Sequence, residues 1–157
     1  MQVGESQSRG FEWEVSGHIR ENWNLAAGYA YSDAKVTADI NPLAIGARLP
    51  HAARHSAHIW TRYNVISGPL DGLGIGGGII YVGDRVSTLP SSPDSPIFRL
   101  PGYHSLDLAL YYSHGDYDFS MKVANLLDDE YFIAAQSAVE VQPGSPRSVS
   151  FTLKKNF

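Results

Sequence analysis

A chain of 157 residues with no cysteine and a formal net charge of −4 is long enough for one domain with a sizeable core. Without cysteine it holds neither disulfides nor thiolate metal sites, and an acidic balance with no basic run argues against a nucleic-acid surface. No apolar run approaches the ~18 residues of a membrane helix, and a mean hydropathy of −0.18 looks soluble. That value is also compatible with a β-barrel, where polar lumen residues dilute the apolar ones.

The amino-terminal stretch carries Glu5, Arg9, Glu12 and Glu14, which is not the pattern of a signal peptide. The first predicted strand follows. Phe11, Trp13, Val15, Gly17 and Ile19 alternate with Glu12, Glu14, Ser16 and His18, and side chains of a strand point alternately to its two faces. After a short turn at Arg20–Asn22, Trp23, Leu25, Ala27, Tyr29 and Tyr31 alternate with Asn24, Ala26, Gly28 and Ala30 in a second strand. From Ser32 to about Arg54 the alternation fades, and Asn41, Pro42, Gly46 and Pro50 mark a long loop.

A third strand runs from Ala57 to Val65, with a short turn after it that ends near Gly72. The fourth, Leu73 to Val82, is rich in glycine, which lets a strand bend or lets bulky neighbours approach. Pro90, Pro93, Pro96 and Pro101 fill a second long loop that no central strand can occupy. A fifth strand from Leu106 to Tyr112 and a sixth from Tyr117 to Ala124 flank the tight turn Ser113–Asp116. A third long loop runs from about Leu127 to Pro146. The final stretch, Arg147 to Phe157, has Val149, Phe151, Leu153 and Phe157 on one side and Ser148, Ser150, Thr152, Lys154 and Asn156 on the other, with only Lys155 breaking the apolar side.

Seven strands joined by connections that alternate short and long describe an antiparallel up-and-down transmembrane β-barrel wall, with short turns on the periplasmic side and long loops outside. Predicted strands of roughly 9–11 residues suit a tilted bilayer span, and Tyr, Trp and Phe gather near strand ends as in interfacial girdles. In this reading Leu108 faces lipid and Asp107 the lumen, so Leu108→Arg is costly and Ala109→Arg is tolerated where the lumen has room. Two alternatives stay open: a small free-standing outer-membrane barrel with a structural or adhesive role, and a soluble β-sandwich binding module. Seven is an odd number, so closing this sheet on itself requires a parallel seam, which single-chain bacterial barrels avoid. The strands are therefore expected to form an open wall and no pore of their own.

Several phrases resemble TonB-dependent outer-membrane receptors, most of all the siderophore group. They are Gly46-Ala47-Arg48-Leu49-Pro50 with Arg54-His55-Ser56 and Trp60; Tyr81-Val82-Gly83-Asp84-Arg85; Leu100-Pro101-Gly102-Tyr103 leading into Asp107; Asn125-Leu126-Leu127-Asp128-Asp129-Glu130-Tyr131; and Gly144-Ser145-Pro146-Arg147. Their order and spacing, more than any one of them, carry the resemblance over about residues 8–157. Ala53 stands where the family commonly has proline, Leu127 replaces its usual phenylalanine, and Phe132 follows Tyr131 where a second tyrosine is frequent. The family's plug, TonB-contacting box and signal peptide, and most of its barrel strands, find no counterpart in these residues. The resemblance thus implies that residues 1–157 are a carboxy-terminal segment of a larger receptor barrel. It implies a location in the cell outer membrane and a part in ferric siderophore uptake, with outer-membrane lipid and the barrel-assembly machinery as partners and TonB reached only through the plug. Phe151, Leu153 and Phe157 resemble the carboxy-terminal signal read by that machinery. No nucleic acid and no cofactor are implied.

The candidate sites are weighed against plainer roles. His51, His55 and His58 invite a metal cluster, but three positions apart on a strand is an odd step, so His55 and His58 face opposite sides. Glu12 with Glu14, or Asp107 with Asp118, are acid/base pairs in name, yet no motif supplies a phosphate loop or a nucleophile elbow. The chain is expected not to be an enzyme. Asn125 to Tyr131 is read as the terminator of the sixth strand, with Tyr131 in the outer aromatic belt. The proline-rich loop from Leu89 to Pro101 is either a stiff surface loop or a point of contact with a siderophore at the mouth.

Overall fold

The computed structural model describes residues 4–94, 97–137 and 139–157; Pro96 of the second loop lies outside the described residues. The alternating segments form β1 (Glu5–Arg20), β2 (Trp23–Ala38), β3 (His55–Asn64) and β4 (Leu73–Val82). A two-residue pair, β5 (Arg85–Val86) with β6 (Arg99–Leu100), lies in the second loop, and β7 (Tyr103–His114) and β8 (Tyr117–Ala124) follow. The third loop holds the small hairpin β9 (Phe132–Ala135) and β10 (Val141–Pro143), and β11 (Ser148–Lys155) ends the sheet.

Seven strands make one antiparallel sheet in the order β1-β2-β3-β4-β7-β8-β11, the up-and-down wall expected from the sequence. Its ends, β1 and β11, do not pair with each other. The register carries the alternation across the sheet as continuous rows. Thr61, Gly77, Leu108, Val123 and Val149 oppose one another in one row, and Tyr63, Ile75, Leu110, Met121 and Phe151 in the next. Every large apolar residue in these rows therefore projects from one face, the face a barrel turns to lipid.

β1 and β2 are much longer than the predicted Phe11–Ile19 and Trp23–Tyr31, at 16 residues each. That length is about 53 Å, whereas a tilted span needs only ~9–11 residues. The upper part of this hairpin, where Ser6 to Gly10 pair with Ser32 to Val36, therefore stands beyond the bilayer. The alternation does continue there, but in small and polar residues: Ala34 and Val36 are buried on the inward face while Asp33 and Lys35 turn outward. The predicted long loop folds back onto that inward face. Its segment 46–49 bonds to the edge of β2 beyond the end of β3, through Val36 N–H to Ala47 O (3.0 Å), Gly46 N–H to Val36 O (2.9 Å) and Leu49 N–H to Ala34 O (3.0 Å).

The buried residues gather at this loop end. Val36, Ala44 and Leu89 form a small core with Ala47 and Leu49 packed against it, and Val86, Leu100 and Ala135 are buried nearby in the loop strands. A chain of this length is expected to hold a sizeable core. The wall has none, because a single-layer sheet buries neither face within the chain. Below the extended upper part of β1 and β2, where Ala34 and Val36 are covered by the loop, Ala109 is the sheet's one hydrophobic residue below a tenth exposed among the described residues, at 3%. The inner face at this point is already filled, so the room on which tolerance of Ala109→Arg depends is not there.

Candidate functional site

On the inner face β4 presents Gly74, Gly76 and Gly78, which leave room for side chains from both neighbouring strands. A Cβ at Gly78 would lie 2.6 Å from Trp60 Cε3, and one at Gly76 3.1 Å from Trp60 Cζ2 and 3.3 Å from Tyr111. These contacts explain the glycine content of the fourth strand and the crowding around Ala109. The Arg62 guanidinium lies 3.8 Å over the Tyr111 ring and donates Nε–H to Asn64 Oδ1 at 2.8 Å. Lys122 Nζ pairs with Asp107 at 3.1 Å and lies 5.8 Å from the Trp60 ring. The inner wall is thus lined with cations held in place by rings and a carboxylate, a surface suited to polar contents.

At the loop end, two of the phrases that carried the resemblance lie against each other. Arg48 donates to Asp84 Oδ2 and to the Asp84 carbonyl, both at 2.8 Å, and Arg99 stands 3.9 Å from the same carboxylate. The hydrogen bond from Arg48 holds the Asp84 carboxyl below the ordinary carboxylate range, with its charge and that of Arg99 adding to the effect against a smaller opposing cost of burial. Arg85 next to it is 4% exposed. Its guanidinium donates to the carbonyls of Ile133 (2.7 Å) and Phe132 (2.8 Å) and lies 5.2 Å from the Tyr103 ring, so it ties the third loop to the second. Sequence reading missed Arg85 as a tie. The only signal was an arginine beside a glycine–aspartate turn, and its partners are main-chain atoms with no sequence signature.

Asn125 to Tyr131 forms a knot that ends β8. Asn125 has φ 50° and Asp128 φ 58°, a left-handed conformation Asn and Asp tolerate. The Asn125 side chain donates to the carbonyls of Asp129 (3.0 Å) and Ser145 (3.1 Å) and accepts from Asp129 N–H (3.1 Å), while Arg147 N–H donates to Asp128 (2.8 Å). The terminator reading is therefore what the geometry supports. Tyr131 is not in the outer aromatic belt. It stacks on Tyr103 at 4.4 Å and lines an inward hollow of about 240 Å³ with Ile80, Ser105 and Asp107. Stacking on a ring already fixed inside, with Gly144 leaving space beside it, outweighs a place at the interface.

The three histidines go different ways. His51 lines a hollow with Gln136 and Glu140; His55 lies on the outer face, 5.2 Å from the Tyr31 ring and bonded to Tyr29 Oη at 2.8 Å; His58 covers Gly28 on the inner face. Among the described residues no three His, Cys, Asp or Glu side chains converge as a metal would require. Glu12 and Glu14 border one inner-face hollow with His58, whereas Asp107 is paired with Lys122 and Asp118 accepts from Ser113 Oγ at 2.7 Å, so Asp107 and Asp118 are separate lumen groups. Leu108 projects outward and Asp107 inward, as expected. Phe151, Leu153 and Phe157 are exposed, the first two on the outward face of the edge strand β11.

The comparisons agree with this geometry. The family profile described as TonB dependent receptor-like, beta-barrel matches residues 1–126. The metal-pseudopaline receptor CntO of Pseudomonas aeruginosa is 36% identical over 99% of this chain, and the ferrioxamine B receptor of Salmonella typhimurium 31% identical over 94%. The crystal structure of the ferric-catecholate import receptor Fiu of Escherichia coli in its closed form superposes with a TM-score of 0.82 at 26% identity, covering 97% of this chain. The chain spans about one fifth of each, 21% in all three. A match over most of the chain, the open antiparallel wall and the outward apolar rows lead to one assignment: the chain belongs to the TonB-dependent receptor β-barrel family of the outer membrane, and forms part of a barrel wall with its loops.

Proposed function

We propose that this chain supplies wall, outer loops and an assembly signal to a receptor that imports a ferric siderophore or a similar metal chelate. The observation that carries this is the likeness over nearly the whole chain to a metal-pseudopaline receptor and a ferrioxamine B receptor. The geometry supports it. Its inner wall is polar and aromatic, and its loop end is braced by Arg48, Arg85 and Asn125, which gives the mouth a fixed shape for a ligand. Residues 1–157 act as the carboxy-terminal segment of the barrel. TonB acts on this segment only indirectly, through the plug that the barrel encloses. Its work is binding and transport, and the paired, dispersed carboxylates carry no catalysis.

The test uses the complete receptor that contains these residues, expressed in a strain lacking its own siderophore receptors. Uptake of radiolabelled iron is measured across ferrioxamine B, ferric-catecholate, ferripyoverdine and metal–pseudopaline complexes. TonB-dependent uptake of one class supports the proposal. Surface-displayed receptor that takes up none of them, but a vitamin or sugar instead, overturns it.

A further inference from the structure

β1 and β2 pair residue for residue as far as His18 opposite Asn24, and then Arg20 stands opposite Trp23. One extra residue has been inserted at Ile19. Such a bulge re-aims the side chain that follows it. By strict alternation Arg20 belongs with His18 and Ser16 on the inner face. The insertion moves it to the face of Trp23, the outward one, so a guanidinium stands on the wall that meets lipid. Among the described residues Arg20 has no carboxylate within ion-pair distance.

Arg20 stands at one end of an outward groove of about 710 Å³, whose sides are Trp23, Tyr63, Ile75 and Leu108. A site of that size accepts a ligand of drug-like bulk. Its floor is Gly77 and Thr61. A Cβ at Gly77 would come within 3.0 Å of Leu108 Cδ2, so a larger residue would fill the groove. The Thr61 hydroxyl donates to Asn24 O at 3.0 Å and accepts from Trp23 Nε1–H at 2.7 Å, which leaves the floor apolar in effect. The groove runs from the short-turn rim toward the middle of the sheet, with Trp23 and Tyr63 in the aromatic belt of that rim.

We infer that this groove holds one glycerophospholipid of the periplasmic leaflet, its phosphate on the Arg20 guanidinium and an acyl chain over Gly77. The inference goes beyond transport and rests only on the outer-membrane barrel assignment. Charge complementarity decides the occupant. A guanidinium with no carboxylate partner among the described residues, at an apolar interface, matches a phosphate oxygen pair, and a fork of fixed N–H groups binds it better than a point cation does. The short-turn position decides the source, since this end faces the phospholipid leaflet rather than the outer surface.

The test uses the complete receptor in detergent, titrated with phosphatidylglycerol, phosphatidylcholine or lipid A and read by native mass spectrometry. Quenching by phosphatidylglycerol brominated on its acyl chain, assigned to Trp23 by its loss in Trp23→Phe, reports the acyl position. Phosphatidylglycerol should be retained, Arg20→Gln should weaken its retention about tenfold while the barrel stays heat-modifiable, and Arg9→Gln should change nothing. Gly77→Leu should abolish Trp23 quenching; should that variant fail to assemble, Gly77→Ala, whose Cβ meets Leu108 Cδ2 at 3.0 Å, should weaken it, and unchanged quenching there counts against the inference. Equal retention by the wild type and Arg20→Gln overturns the inference, as does preference for lipid A, or Trp23 quenching that survives an assembled Gly77→Leu barrel.

Discussion

The wall and the loop end of this molecule are built from the same kinds of residues under opposite rules. In the wall, Leu108, Leu110, Phe119 and Phe151 are large, apolar and 38–65% exposed, while the paired charges Asp107 and Lys122 lie on the inner side. At the loop end the order is the familiar one, with Val36, Leu89 and Leu100 buried and Asp33, Lys35 and Asp84 at the surface. Lipid explains the difference. Where the solvent is hydrocarbon, outward apolar residues cost nothing; where the chain leaves the bilayer, they must be covered, and the first long loop folds back to do so.

The largest expected effect breaks the wall's rule. In the complete receptor, Leu108→Arg places a charge on the lipid face in the middle of β7 and should cost about 2–4 kcal/mol near the midplane. Ser150→Arg, on the exposed polar face of β11, should cost far less. The measurement is the fraction of heat-modifiable barrel, and equal losses for the two would sink the assignment of faces. Ala109→Arg, despite its inward position, should approach Leu108→Arg in cost, because the site is 3% exposed and an inserted side chain overpacks it.

The loop end should break in a different manner. Arg85→Met removes a buried guanidinium and strands the carbonyls of Ile133 and Phe132, at a cost of about 1–3 kcal/mol. Because those bonds join two loops and not two wall strands, the barrel should assemble normally while protease cleaves near 132–143 sooner. Normal cleavage with impaired assembly would reverse the roles given to the two regions.

Removing Phe157 should lower the receptor's outer-membrane level and leave the loops of the assembled fraction unchanged. The physical basis is an edge strand, β11, that adds to a partner sheet while its aromatic end fills a pocket. Surface display at the wild-type level would argue against a signal in Phe151, Leu153 and Phe157.

The smallest effect concerns pH. Arg48 holds the Asp84 carboxyl below its ordinary range, so the carboxylate stabilises the folded loop above the unfolded value of about 4 and loses that contribution as pH falls through the folded value. The Asp84 side chain is 56% exposed, so solvent screening keeps the effect slight. Hydrogen exchange of residues 46–50 should quicken as pH falls below about 4 once intrinsic rates are divided out. Arg48→Gln should remove that dependence, and an identical pH profile in the variant would exclude Asp84 as its source.

What the sequence determined by itself is the wall. Alternation is a property of the extended backbone, so Val149, Phe151 and Leu153 share a face whatever else the chain does, and the short and long connections set the up-and-down order. The asparagine–aspartate run at 125–129 announced its turn for the same local reason. Only the tertiary structure decided the rest. The extra length of β1 and β2 was hidden because small and polar residues at 32–38 pair as strands only with an edge and a covering loop present. The core of Val36, Ala44 and Leu89 joins a strand residue to residues of two separate loops, and Arg85 bonds main-chain atoms almost fifty positions away, so neither leaves a local pattern. Arg20 faces lipid through a single inserted residue, and its direction follows from the register between two strands, which periodicity within one strand does not contain.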